Sequence, residues 1–197
     1  MKKVLLLLAE GFEPCMANAF IDVIGLNMML GDGSSQLFTC GLRHEIESSL
    51  SQRVVTDYLV CDINPELFDA LVIPGGFEKL GFYNDAYDES LLVLIRMFDA
   101  QNKIIASVCV GALPIALSGI LSNHKIIDSI KRTIIQNEPM NNETNIINEP
   151  ITNKSNVIIS WKPYTALDLA FLLLERLTSK EQSILIREIM EFRLRQN

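Results

Sequence analysis

Apolar positions along this chain follow two periods in turn. Residues 3–9 form a short run that is apolar on both faces, as expected of a buried, parallel-type strand. Pro14 can open a helix, and Ala17, Phe20, Ile21, Ile24 and Met28 then recur at helical spacing until Gly31 and Gly33 stop it. A second strand is expected over 36–41, and short strands or a hairpin over 46–60. Residues 69–76 read as another buried strand that ends in a sharp turn at Pro74-Gly75-Gly76, and 81–85 read as a loop. Residues 90–100 are an amphipathic helix with Leu91, Leu94, Ile95 and Phe98 inward. Then come a short apolar strand over 104–108 and a helix over 112–117, where Pro114 fits only the first turn. The Asn-rich stretch 123–156 contains Ile126-Ile127, Ile134-Ile135 and the 145–148 segment, which read as short strands or edges. A last strand over 157–161 and a helix over 164–177 follow. A final helix runs to about Arg195, and Ser179 with Gln182 resembles a capping box at its start.

Strands alternating with helices predict an α/β fold with a mostly parallel central sheet and right-handed crossovers. No repeat or linker interrupts the pattern, so residues 1–197 are expected to form one domain. The 49% hydrophobic content suffices for a full core. The net charge of −7 and the lack of any Lys/Arg cluster argue against a nucleic-acid partner held by electrostatics. The start of the chain mimics the apolar region of a leader. It is too short, however, and runs straight into Glu10-Gly11-Phe12-Glu13, so a first strand is expected there. No apolar run reaches the roughly 18 residues that span a membrane. The four cysteines are far apart and form no C-x-x-C pair, which reads as reduced thiols in a cytoplasmic protein.

The chemistry concentrates at Cys109, where the strand over 104–108 gives way to the helix over 112–117. Gly111 lets two backbones approach there, and the layout is that of a nucleophile elbow with cysteine in place of serine. A thiol at a helix N-terminus faces unpaired N–H groups, which favour thiolate. An ordinary buried core cysteine is the competing reading of this stretch alone. In parallel sheets, however, chemistry sits at the carboxyl ends of strands. Three such ends carry notable residues: Glu10 to Glu13, Pro74-Gly75-Gly76, and Cys109.

Taken together, these stretches resemble the ThiJ/PfpI superfamily, which includes the Parkinson-disease protein deglycase and the PfpI-type intracellular proteases, a branch of the class I glutamine amidotransferase-like fold. The matching residues are Leu8-Ala9-Glu10-Gly11-Phe12-Glu13, the 68–76 segment ending in Pro74-Gly75-Gly76, the 104–112 segment around Cys109, and Ser160 to Asp168. The resemblance implies a flavodoxin-like three-layer sandwich, usually a homodimer, that acts on small electrophiles such as glyoxals or amides. It also implies that Cys109 is the reactive thiol, that the N–H groups of Gly76 and Val110 form an oxyanion pocket, and that Glu13, Met16, Gly75 and Gly111 line it. Each such donor is typically worth ~3 kcal/mol to a developing oxyanion. An oxidation-sensitive thiol is the related reading.

Two departures from the family pattern matter. The family usually places a glutamate five residues after the glycine of the first turn, where it hydrogen-bonds the cysteine; this chain has Met16. A thioether carries no exchangeable proton. Active members often carry a histidine on the strand after the elbow helix, and this chain has Ser129 in the stretch that follows Lys125. His124 and His44 read as surface residues, and Asp128 is the nearest candidate substitute for the missing histidine. These losses open an alternative: a catalytically impaired member that binds a metabolite or partner through the same pocket.

The remaining candidates are weaker. A Cys15–Cys109 redox pair would need Cα atoms within ~7 Å, and packing of a helix face explains Cys15 as well. Cys40 and Cys61 read as core positions in strands, Arg53 as an exposed strand residue, and Trp161 as packing beside the last helix. No His/Cys/Asp cluster has metal spacing and no Gly-rich loop cradles phosphate, so neither a metal nor a cofactor is expected.

Overall fold

The computed structural model describes residues 1–121, 151–154, 156–160 and 162–195. The sequence expectations for Ile126-Ile127, Ile134-Ile135, 145–148, His124, Asp128, Ser129 and Trp161 lie outside them.

Nine strands are present among these residues: β1 (Lys2–Leu7), β2 (Ser35–Gly41), β3 (Glu45–Glu47), β4 (Arg53–Val55), β5 (Tyr58–Leu59), β6 (Ala70–Ile73), β7 (Ile104–Val108), β8 (Ile151–Lys154) and β9 (Val157–Ser160). Seven of them form one sheet in the order β5-β2-β1-β6-β7-β9-β8. All its pairings are parallel except β8 against β9. β3 and β4 form a separate antiparallel hairpin. The helices are α1 (Pro14–Leu30), α2 (Phe82–Ala86), α3 (Glu89–Ala100), α4 (Ala112–Ser118), α5 (Ala166–Leu177) and α6 (Lys180–Arg195).

The strands are apolar on both faces because both faces are covered. Leu5, Leu7, Leu71, Ile73, Ile105 and Ile159 point into one core, which α3 and α4 close with Leu91, Ile95, Phe98 and Ile115. Val4, Leu6, Val72, Ala106, Val108 and Ile158 point into the other, closed by Phe20, Val23 and Ile24 of α1 and Leu169, Leu173 and Leu174 of α5. Each of these larger side chains contributes roughly 1.5–3 kcal/mol when fully buried. The result is a three-layer α/β sandwich, with the mostly parallel sheet that the alternation predicts and the layers that the resemblance implies.

Local signals hold where chemistry enforces them. Pro14 sits in the first turn of α1. The Ser179 hydroxyl accepts from the Gln182 N–H at 3.3 Å at the start of α6. Several expectations fail. The stretch 81–85, read as a loop, holds α2, too short for an apolar period to show. Cys61, read as a core strand position, is exposed in a 3-10 turn over Val60–Asp62. Cys15, read as packing on a helix face, is exposed as well, whereas Cys40 is buried in β2 as expected. Ile21 and Met28 of α1 are exposed, while Asn27 is fully buried. Asn27 is tolerated inside because its amide donates to Asp32, Ser34 and Ser35, which lock the turn into β2.

Candidate active site

The site forms where the carboxyl ends of β1, β6 and β7 meet. After β7 the chain turns through a 3-10 turn, Cys109–Gly111, before α4 begins. Cys109 holds φ at +55°, a left-handed conformation that costs a non-glycine residue roughly 1–3 kcal/mol. The turn persists because close packing dictates it. A Cβ on Gly111 would stand 2.3 Å from the Ile73 carbonyl oxygen, so the elbow lies directly on the end of β6.

The turn after β6 is joined to the first loop by an isolated antiparallel bridge between Phe12 and Gly76. Its hydrogen bonds are donated by Glu13 N–H to Gly75 O at 2.8 Å and by Phe77 N–H to Gly11 O at 3.0 Å. The Gly76 N–H takes no part in either bond. Gly75 is the meeting point of three elements. A Cβ there would lie 3.0 Å from Val108 O, 3.2 Å from Met16 Sδ and 3.3 Å from Cys109 Cβ. Met16, 5% exposed, therefore delivers its thioether to the elbow from α1. Cys15, one residue earlier on the same helix, faces solvent, and all four cysteines are free thiols.

The expected thiolate does not emerge from these surroundings. Cys109 is half-buried, and burial pushes its thiol above the ordinary value; a hydrogen bond from the Val110 N–H offsets this only in part. The helix-terminus argument is weak here because a 3-10 turn separates the sulfur from a helix of two turns. Met16 adds no charge and no proton.

Glu13, expected in the pocket, carries its carboxylate toward the β3–β4 hairpin, where the Ser49 hydroxyl donates to it at 3.0 Å. His44 is exposed. Arg53 is exposed across the hairpin from Glu45 and Glu47, at 3.4 and 3.5 Å, in pairs worth little in solvent. Among the described residues no group of three or more His, Cys, Asp or Glu side chains is placed to hold a metal ion.

Sequence reasoning missed α2 and its role. Phe82 is buried against the Gly76 turn, with a Cβ on Gly76 falling 2.3 Å from the Phe82 ring. Asp85, 4% exposed, accepts the Glu10 N–H at 2.8 Å and Arg43 at 2.7 Å, and Arg43 also reaches Glu10 at 3.1 Å. One carboxylate thus joins α2, the first loop and the segment after β2. The signal in the sequence was only a lone Asp in a short aromatic stretch.

Met16→Glu tests what the thioether position does to charge. A carboxyl there would be buried, so its folded pKa would rise above its unfolded value near 4.3. The protonated form is tolerated in the fold and the ionised form is not. Stability is therefore lost as pH rises from the ordinary glutamate value through the raised one. Urea midpoints of the variant and the parent are expected to diverge between pH 5 and pH 8. The added cost is about 1.4 kcal/mol for a carboxyl whose titration is raised by one pH unit. An equal penalty at both pH values would contradict the burial argument.

These features define a parallel α/β protein with a cysteine elbow at the carboxyl edge of its sheet. The chain belongs to the DJ-1/PfpI family, whose model matches residues 2–176. It is 23% identical to Protein DJ-1 homolog A of Arabidopsis thaliana over 98% of this chain and 47% of that protein. It is 27% identical to Deglycase TK1284 of Thermococcus kodakarensis over 62% of this chain and 69% of that protein. The chain thus spans about half the length of the Arabidopsis relative. Among solved structures, oxidized Toxoplasma gondii DJ-1 superposes with a TM-score of 0.75 at 22% identity, covering 96% of this chain and 98% of the other. Drosophila melanogaster DJ-1beta gives 0.73 at 21% identity, covering 96% and 97%. At these identities the superpositions speak for the fold.

Proposed function

We propose that Cys109 is the nucleophilic thiol of a site for small carbonyl electrophiles, of the glyoxalase or deglycase kind. The observation that carries this reading is the strained elbow itself: Cys109 at φ +55°, packed against the Gly75–Gly76 turn with the Val110 N–H at its sulfur. Strain of this kind is stored where a side chain must be presented. The N–H groups of Gly76 and Val110 are the donors for an oxyanion formed beside the sulfur. Gly75 leaves room for it, because any side chain there would meet Met16 and Cys109. The relative named a deglycase supports the substrate class.

A thiol held protonated by burial needs an activated electrophile. Aldehydes meet that need and unactivated amides do not, so the carbonyl reading outranks the amidase reading. The same protonated thiol makes Cys109 a slow target for oxidants and weakens the reading as an oxidation-sensitive thiol.

One observation favours a second reading, a catalytically impaired member that binds a metabolite or partner: the Met16 thioether at the elbow, where the family pattern has an acid. We also read the protein as a cytoplasmic homodimer. Among the described residues no helix is long and apolar enough to cross a membrane. Met28, Met29 and Leu30 form exposed apolar surface at the end of α1 that a second copy would cover.

The deciding experiment follows methylglyoxal consumption and Cys109 alkylation by iodoacetamide against pH, with peptide-resolved mass spectrometry. The alkylation midpoint is expected above the free-thiol value of about 8.5. Cys109→Ala is expected to abolish consumption. Full turnover in that variant would overturn the nucleophile, and no turnover in the parent would favour the binding reading.

A further inference from the structure

The opposite edge of the sheet carries a second concave site. β1, β6 and β7 run parallel, so their first residues meet at the edge away from the elbow. The starts of these strands and the end of α5 enclose a cleft of about 420 Å³. That lies within the ~300–1,000 Å³ of small-molecule sites. Lys2, Lys103 and Arg176 line it, together with the carboxylates of Glu66 and Asp69. Three cations against two carboxylates leave the cleft one positive charge, in a chain whose net charge is −7. Six residues of extended chain separate Lys103 from Cys109, so the cleft is roughly 20 Å from the elbow.

The fold holds two of these cations in place. Asn102, at φ +52°, turns the chain out of α3, and the Lys103 N–H then donates to Phe98 O at 3.0 Å. The Lys103 ammonium donates to the carbonyl oxygens of Pro65 and Phe68. Both acceptors are neutral, so they fix the ammonium without cancelling its charge. They take two of its three protons. Burial already pulls the Lys103 ammonium below its ordinary value, and an anion beside it would relieve that cost. Lys2 donates to Asp69 at 3.0 Å, and Asp69 also accepts the Lys3 N–H at 2.9 Å. Asp69 thereby steers Lys2 over the cleft, and its own charge is answered by these donors. Arg176 comes from the last turn of α5.

We propose that this cleft binds a small phosphoryl anion, either free phosphate or the phosphate of a small monoester, through Lys103, Lys2 and Arg176. A tetrahedral dianion offers oxygens in several directions, which suits donors that arrive from three segments of the chain. A planar carboxylate is satisfied by one guanidinium fork and has less use for the two ammonium groups. Glu66 is exposed at the rim, where it accepts a hydroxyl of the group that carries the phosphate. The proposal does not depend on the reading of Cys109, and binding there involves no covalent step.

The test uses the whole chain, with inorganic phosphate and glycerol 3-phosphate as probes and chloride at equal ionic strength as the reference. Binding is followed by urea unfolding and by backbone amide NMR shifts. At ten times its dissociation constant, a bound anion is expected to lower the apparent unfolding constant about tenfold. The shifted amides are expected at 66–69 and 102–104 and not at 109–111. Tighter binding of the ester assigns a monoester as the ligand, and equal binding assigns free phosphate. Arg176→Gln and Lys2→Gln are each expected to weaken binding at least about fivefold, the loss of one charged hydrogen bond. Lys103→Met is expected to abolish it, and the Arg176 variant decides the matter if the Lys103 variant fails to fold. Arg187→Gln, which removes a cation outside the cleft, is expected to change nothing. No response to either probe at about 10 mM, tenfold above a millimolar dissociation constant, overturns the proposal. Amide shifts confined to other segments overturn it as well. So does an equal loss in the Arg187 variant, since the anion would then answer only to overall charge.

Discussion

Gly111→Ala is expected to cost at least ~3 kcal/mol and to leave little folded protein with an accessible Cys109. The added methyl would stand 2.3 Å from the Ile73 carbonyl oxygen, 2.9 Å from the Pro74 carbonyl oxygen and 3.0 Å from the Pro74 carbonyl carbon. All three atoms are backbone, so no side chain can rotate away, and β6 and the elbow must separate. Such overpacking usually costs about 1–3 kcal/mol even where side chains can adjust. Gly111 itself has φ −58°, open to any residue, so space and not conformation demands glycine here. Gly25→Ala is the control. Nothing lies within 4 Å of a Cβ there, and it sits within α1, so it is expected to stabilise by about 0.5–1 kcal/mol. Urea midpoints of the two variants, measured side by side, check the argument. A Gly111→Ala midpoint equal to that of the parent would show that the elbow does not need its contact with β6.

Asp85→Ala is expected to cost about 2–3 kcal/mol, and more than Asp85→Asn. The alanine strips an acceptor from the Glu10 N–H and an ion-pair partner from Arg43. An unsatisfied buried donor costs ~1–3 kcal/mol. Arg43 is half exposed, so the lost pair counts for less than a fully buried one would. Asparagine keeps an acceptor for the Glu10 N–H and gives up only the charge. Freed of its anchor, α2 is expected to loosen before the sheet does. Hydrogen exchange in the α2 segment, measured at a urea concentration where β1 and β7 remain protected, would show this. Uniform loss of protection across the chain would mean that Asp85 supports the whole domain and not the site loop.

These two variants probe contacts of different legibility. The strands could be read directly, because a strand covered on both faces must be apolar at every position, and residues 4–8, 70–73 and 104–108 are nearly so. The elbow could also be read, because a strand that becomes a helix at Cys109 with Gly111 beside it leaves few backbone paths. α2 could not be, since five residues show no period, and Tyr83 and Asp85 look like loop residues until their partners arrive from elsewhere in the chain. Nor does the helical spacing of α1 single out Asn27, whose partners Asp32, Ser34 and Ser35 meet it only once the turn closes.

The charge on Cys109 marks the boundary most sharply. Local sequence argues for a thiolate, by placing the cysteine before a helix. The folded structure inserts a 3-10 turn, buries the sulfur and lays Met16 against the elbow, and desolvation outweighs the one N–H from Val110. Order along the chain therefore determined the fold class, the family and the candidate nucleophile, all of which follow from local periodicity and from which residue ends which strand. Only the tertiary structure decided which side chains meet that cysteine and how charged it is, because desolvation and proximity arise between segments that are distant in sequence.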